Sequence, residues 1–193
     1  MPLPSPDIDR EPLHTRSIRV NSFQRADGQW DIEAELIDTK AYDFPRRDES
    51  THHAGRPVHH MHLRVTIDDT FTITAAVAAY DAAPYDGDCS CITPAYEQLV
   101  GMNLLRNFRQ AVKDRFLRTK GCTHLTELSY VLPTVAVQTM ANRRRKERDI
   151  SASQPGKRPF QLEGCHALRL NGPVAERYYP EWYVAPESEA ACK

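Results

Sequence analysis

The stretch GCTHLTEL, residues 121–128, brings Cys122, His124 and Glu127 together where a loop turns into a helix. A thiol at a helix start lies beside the unpaired amides of the first turn and the positive end of the helix dipole, which both favour thiolate. A thiolate so placed either attacks an electrophile or binds a metal. Thr123, Leu125 and Leu128 are accounted for more plainly, as a cap and a core-facing pair.

Alternation along VHHMHLRVTID, residues 58–68, sorts three more imidazoles. His59 shares a face with Met61, Leu63, Val65 and Ile67, the apolar set, while His60 and His62 share the other face with Arg64. A histidine at the end of a buried face needs partners, because an unsatisfied buried polar group costs about 1–3 kcal/mol. His59 is then either a satisfied structural residue or a ligand or general base. His60 and His62, two residues apart on one face, are spaced to chelate a metal or simply to sit in solvent.

Cys89 and Cys91, with Asp88, precede another helix in DGDCSC. If the two helix starts converge over the sheet, Cys89, Cys91, Cys122 and His124 make a metal set, and thiolate with imidazole suits zinc or the iron of an iron–sulfur cluster. Without metal, Cys122 remains a candidate nucleophile with His59 or His124 as acid and base, oriented by Glu127 or Asp38. Asp38 and Lys40, in DTK, form either a functional pair or an ion pair on the rim. No G-x-S-x-G elbow, P-loop or G-x-G-x-x-G motif occurs.

The elements that must hold these groups follow from pattern. RADG, with Asp27-Gly28 at its end, separates two strand-like runs, residues 17–24 and 29–44, and glycine supplies the positive φ a tight hairpin needs. In the second run Trp30, Ile32, Ala34 and Leu36 alternate with Asp31, Glu33 and Glu35, the signature of a half-buried strand. A polar loop (45–57), a third strand (58–68) and a fourth (71–82) complete an antiparallel meander.

Helical periodicity then takes over. A short helix capped by Thr93 and opened by Pro94 breaks near Gly101, and a longer one carries Leu104, Leu105, Phe108, Val112 and Phe116. A last helix follows Gly121, bent or split at Pro133. The basic run RRRKERD, residues 143–149, reads as its solvated end. The fold class is α+β: a meander of about four strands, then helices packed on one face, then an irregular C-terminal extension. Residues 1–15 form a flexible arm, 16–148 the Cys/His domain, and 149–193 a linker and extension.

The 193 residues carry 25 basic and 26 acidic side chains, a balance that offers no field to gather nucleic acid or an anionic membrane. The first residues lack the basic start and apolar run of a signal peptide, and five cysteines in such a chain fit reduced thiols, so the cytoplasm is expected.

The blocks DGQWDIEAELIDTKAYDF, VHHMHLRVTIDD and GCTHLTEL, in this order, resemble a bacterial protein family of unknown function, over roughly residues 15–140. The resemblance implies no settled activity. It marks Trp30, Asp31, Glu33, Asp38, Lys40, His59, Met61, Arg64, Cys122 and His124, of which Asp38, Lys40 and Arg64 are the positions expected to bind a cofactor or ligand. The layout is also similar to that of NifU/IscU-type iron–sulfur scaffold proteins, where a cysteine-bearing loop and a cysteine-led final helix follow a meander. Here the first scaffold cysteine has no counterpart, and His124 follows its cysteine instead of preceding it.

Two functions are therefore expected as alternatives. One is a cytoplasmic Cys/His pocket binding zinc, iron or an iron–sulfur cluster. The other is a metal-free small-molecule enzyme (a catabolic hydrolase, lyase or isomerase) using His59, His124 and Cys122. A third reading makes RYYPEWY, residues 177–183, the dock for a protein partner, and homo-oligomerisation stays open.

Overall fold

The computed structural model describes residues 3–85, 87–141, 158, 159 and 161–186. The chain divides into two compact units, Met1–Asn142 and Arg143–Lys193.

The first unit begins with strands β1 (His14–Gln24) and β2 (Trp30–Lys40), joined by the turn at Gly28, whose φ of 84° is the left-handed conformation glycine adopts without strain. Two short strands pair with each other, β3 (Phe44–Pro45) at the junction of the expected second strand and loop, and β4 (Thr51–His52) within that loop. Strands β5 (Pro57–Ile67) and β6 (Ile73–Ala82) complete a four-stranded antiparallel sheet of order β1-β2-β5-β6. The α+β meander expected from pattern is the fold observed. β1 starts three residues earlier than its pattern suggested, a difference that matters for the site.

Alternation decides what each face meets. Trp30, Ile32, Ala34, Leu36 and Asp38 are the buried residues of β2, with polar or half-exposed side chains between them. Met61, Leu63, Val65 and Ile67 of β5 join the same core. A 3-10 segment, Ser90–Leu99, carries Pro94 within it. Helix α1 (Phe108–Phe116) buries Phe108, Val112 and Phe116, whereas Leu104 and Leu105 fall in the connection before it. Helices α2 (Thr123–Ser129) and α3 (Leu132–Thr139) split at Pro133, which stands in the first turn of α3, where a missing N–H costs nothing. α2 lies over β5 and β2, and α3 over β1 and β2, so the helices cover one face of the sheet.

Gly121 sits where a side chain has no room. A Cβ there would lie 2.7 Å from the Phe116 Cβ and 2.8 Å from its carbonyl oxygen. That close approach lets the chain leave α1 and enter α2 with Cys122 at the joint.

In the second unit, helix α4 (Pro173–Tyr178) and two 3-10 turns, His166–Leu168 and Pro180–Trp182, stand among irregular backbone. The basic run 143–149 lies outside the described residues. Among the described residues no helix is long and apolar enough to cross a membrane.

Candidate active site

Cross-strand register assembles the polar end of the buried face. Asp38 stands opposite Arg16 on β1 and opposite His59 on β5, so all three side chains project to the same side at one level. His14 enters from the next inward position of β1. Immediately beyond this row the register of β2 and β5 slips, because Asp38 pairs with His59 and Thr39 with Pro57, leaving Val58 unmatched. Such a bulge twists the strand end and re-aims its side chains.

Asp38 is the hub, at 3% exposure. Arg16 grips both its oxygens, Nε to Oδ1 and Nη2 to Oδ2, each at 2.8 Å. His14 Nε2 lies 3.0 Å from Oδ1, and His59 Nδ1 lies 3.1 Å from Oδ2. Burial alone would push the carboxyl up; the Arg16 and His14 hydrogen bonds outweigh it and hold Asp38 at about 2. Arg16 also reaches Glu127 on α2, fastening the helix to the edge strand.

Above this carboxylate lies the start of α2. Cys122 is its N-cap, in extended conformation, and the Tyr96 hydroxyl bridges the Cys122 carbonyl at 2.8 Å and amide at 3.0 Å. Thr123, expected as the cap, is instead the first helical residue. His124 spans the gap between thiol and carboxylate: its Nδ1 is 3.9 Å from Cys122 Sγ, and its Nε2 is 3.6 Å from Asp38 Oδ2. The His59 and His124 rings lie 3.9 Å apart, tilted by 32°.

These surroundings set the charge states. Burial raises the Cys122 thiol, yet His124, Tyr80 and the amides of Leu125 and His124 bring it to about 7 from an ordinary 9.0. The Tyr80 hydroxyl is buried without a hydrogen-bond partner of good geometry among the described residues; burial first, and the neighbouring Cys122 sulfur second, raise its pKa. His59 is lowered by burial first and by His124 second, against the pull of Asp38.

The structure thus brings His59, Cys122, His124 and Asp38 together and leaves other expected residues apart. Lys40 takes no part in the Asp38 ion pairs; its ammonium lies 6.0 Å above the Tyr42 ring. Arg64 points from the opposite face, 3.5 Å from Glu33. Cys89 is half-buried, and Cys91 is exposed with its thiol on the Asp88 carbonyl. Among the described residues, two groups offer at least three His, Cys, Asp or Glu ligand atoms within 4.8 Å of one another: Asp38, His59, His124 and, on the outer face, Glu35, His60, His62. Neither includes a cysteine.

His14, Arg16 and Tyr80 were not singled out from sequence. The signal for the first two was present, since His14 and Arg16 continue the alternation of Ile18 and Val20, but a proline-rich start hid it.

Residues 14–138 match the family described as "Protein of unknown function (DUF2889)", and since this is most of the chain, the protein belongs to that family. The matched span opens at His14 and contains every residue of the cluster. Comparisons with the curated proteins and with the solved structures gave no match.

Proposed function

We propose that this member of a family of unknown function is a thiol-dependent enzyme acting on a small acyl ester or thioester, with Cys122 as nucleophile. The observation that carries the reading is the order of atoms from thiol to imidazole to buried carboxylate: Sγ faces Nδ1 of His124, and Nε2 of the same ring faces Asp38. That is the order a nucleophile, its base and the base's orienter require, and such contacts are often loose before substrate binds.

His124 takes the thiol proton at Nδ1, and the sulfur adds to the substrate carbonyl carbon, moving the C=O electron pair onto oxygen. Collapse of that adduct expels the leaving group, which receives the proton from His124 and leaves an acyl thioester on Cys122. Water, deprotonated by His124, then releases the acid and restores the thiol. Asp38 holds the ring and stabilises its cation, while Arg16 and His14 hold Asp38. A neutral His59 adds no charge beside the His124 imidazolium.

The test is acyl-enzyme trapping with p-nitrophenyl acetate. Expected are a burst of nitrophenolate and an acetyl group mapped to Cys122, both lost in Cys122→Ser and reduced in His124→Ala. Acetylation no greater at Cys122 than at Cys91 defeats the proposal.

A metal reading has its own support. Asp38 Oδ2 lies 3.1 Å from His59 Nδ1 and 3.6 Å from His124 Nε2. Ligands about 2 Å from a tetrahedral zinc stand about 3.3 Å apart, so the spacing fits zinc or iron. We rank it second because Arg16 already occupies both oxygens of Asp38 with a positive charge. A bound cluster would further require Cys89 and Cys91 to reach Cys122. Elemental analysis of anaerobically purified protein decides: stoichiometric zinc or iron, lost in His59→Gln, supports this reading, and its absence removes it.

A further inference from the structure

We propose a second site, independent of the thiol, in which Glu35, His60 and His62 bind a divalent transition metal, zinc foremost, on the face of the sheet opposite α2 and α3. One ligand atom from each of the three lies within 4.8 Å of the others. Glu35 pairs directly opposite His62 across β2 and β5, and His60 is the next residue of β5 on that face, so backbone register fixes the spacing.

Asp81 supplies the second observation. β6 pairs Ala82 with His60 and Tyr80 with Met61, so Asp81 is an extra, bulged residue beside the histidines. It lies 2.8 Å from His62 Nε2 and 3.5 Å from His60 Nδ1. His60 turns its other nitrogen, Nε2, to Glu35 at 2.9 Å, and His62 Nδ1 has no hydrogen bond among the described residues. Metal-bound imidazoles characteristically give their second N–H to a carboxylate, and here Asp81 takes that of His62 and stands at ion-pair distance from His60. Simple ion pairing explains each contact singly, but exposed pairs contribute little to stability. It does not explain a bulge that sets one aspartate against two rings whose centroids are 4.6 Å apart. Two imidazoles and a carboxylate, with no sulfur, suit zinc and leave a position open. His60 and Asp81 also line a groove of about 810 Å³, which gives an ion and water a way in.

The experiment is zinc titration of chelator-stripped protein against a chromophoric competitor, repeated with cobalt to read the visible ligand-field bands. Expected is a site retained in Cys122→Ser and His124→Gln but lost in His62→Gln, with a cobalt spectrum free of thiolate charge transfer. Glu35→Gln should lose it too, and Asp81→Asn should weaken it by about 10–100-fold, as loss of an outer-shell partner does. These substitutions, at half-buried Glu35 and exposed Asp81, also serve should His62→Gln fold poorly. No zinc uptake, or uptake that Cys122→Ser or His124→Gln abolishes while His62→Gln and Glu35→Gln leave it intact, overturns the site.

Discussion

The acidity of Cys122 gives the most direct measurement. With its thiol at about 7 instead of 9.0, about three quarters of Cys122 is thiolate at pH 7.5, against about 3% for an ordinary thiol. A less basic thiolate is also a weaker nucleophile, and a Brønsted slope of about 0.45 makes that loss about eightfold. The two effects leave a net advantage of only about threefold at pH 7.5, rising to about tenfold at pH 6, where the thiolate fractions are about 9% and 0.1%. Absolute rate is therefore a poor readout, and burial slows any reagent at every pH. The position of the break in the pH profile is unaffected by either. Iodoacetamide labelling across a pH series, read by peptide mass spectrometry at Cys122 with Cys91 as an access control, should give a half-maximal Cys122 rate near pH 7. His124→Ala and Tyr80→Phe should each move it upward, since both groups stabilise the thiolate. A break above about pH 8.5 in the native protein, where an unperturbed thiol titrates, would refute the electrostatic account of the site.

Asp38 predicts a pH dependence of stability. Its folded pKa of about 2 lies below the ordinary 3.8, so it stabilises the fold above the ordinary value and that contribution vanishes as pH falls from about 4 to about 2. The amount is about 2 kcal/mol, measurable by denaturant unfolding at the two ends, and Arg16→Leu should remove most of the difference. Gly121→Ala, whose Cβ would meet Phe116 at 2.7 Å, should destabilise by about 1–3 kcal/mol and slow labelling of Cys122, the next residue. Leu36→Ala, at a fully buried position one alternation from Asp38, should cost about 2–5 kcal/mol in the same unfolding assay and leave the pH of the labelling break in place.

Much of the scaffold was legible because the period of two is unambiguous in β2 and β5. It separated Trp30, Ile32, Ala34 and Leu36 from the acidic residues between them, and it put His59 inward and His60 and His62 outward. Pattern placed β1 from residue 17 onward but missed its start, which adjoins the proline-rich arm on a mostly exposed edge strand. His14 and Arg16 were lost with it. The connection 100–107 was mistaken in part for helix because Leu104 has helical spacing to Phe108, yet Leu104 is buried with its amide on the Phe71 carbonyl at 3.0 Å, outside any helix. Apolar spacing reports burial, and burial does not require a helix. Asp38 looked like half of a DTK ion pair because the sequence shows its neighbours, whereas its partners lie 22 and 24 residues upstream and 21 downstream.

Both polar clusters stand beside breaks in the register at the same end of β5. On one side β5 bulges against β2 at Val58, just past the Asp38–His59 pair. On the other, β6 bulges against β5 at Asp81, just before the Tyr80–Met61 pair. Tyr80 and Asp81 are consecutive, and alternation sends the phenol inward to Cys122 and the carboxylate outward to His60 and His62. One bulge therefore positions a residue for each face. This makes the two clusters mechanically adjacent though chemically separate: deleting Ala82 would let Asp81 pair regularly with His60 while Tyr80 stays opposite Met61, so both side chains keep their faces and only Asp81 leaves the bulge. The thiol should then keep its phenol and its labelling break near pH 7, while the outer histidines bind zinc more weakly as Asp81 shifts. A labelling break that moves upward in such a deletion variant that still folds would show that the bulge itself, and not the Tyr80–Met61 pairing, holds the phenol on the thiol.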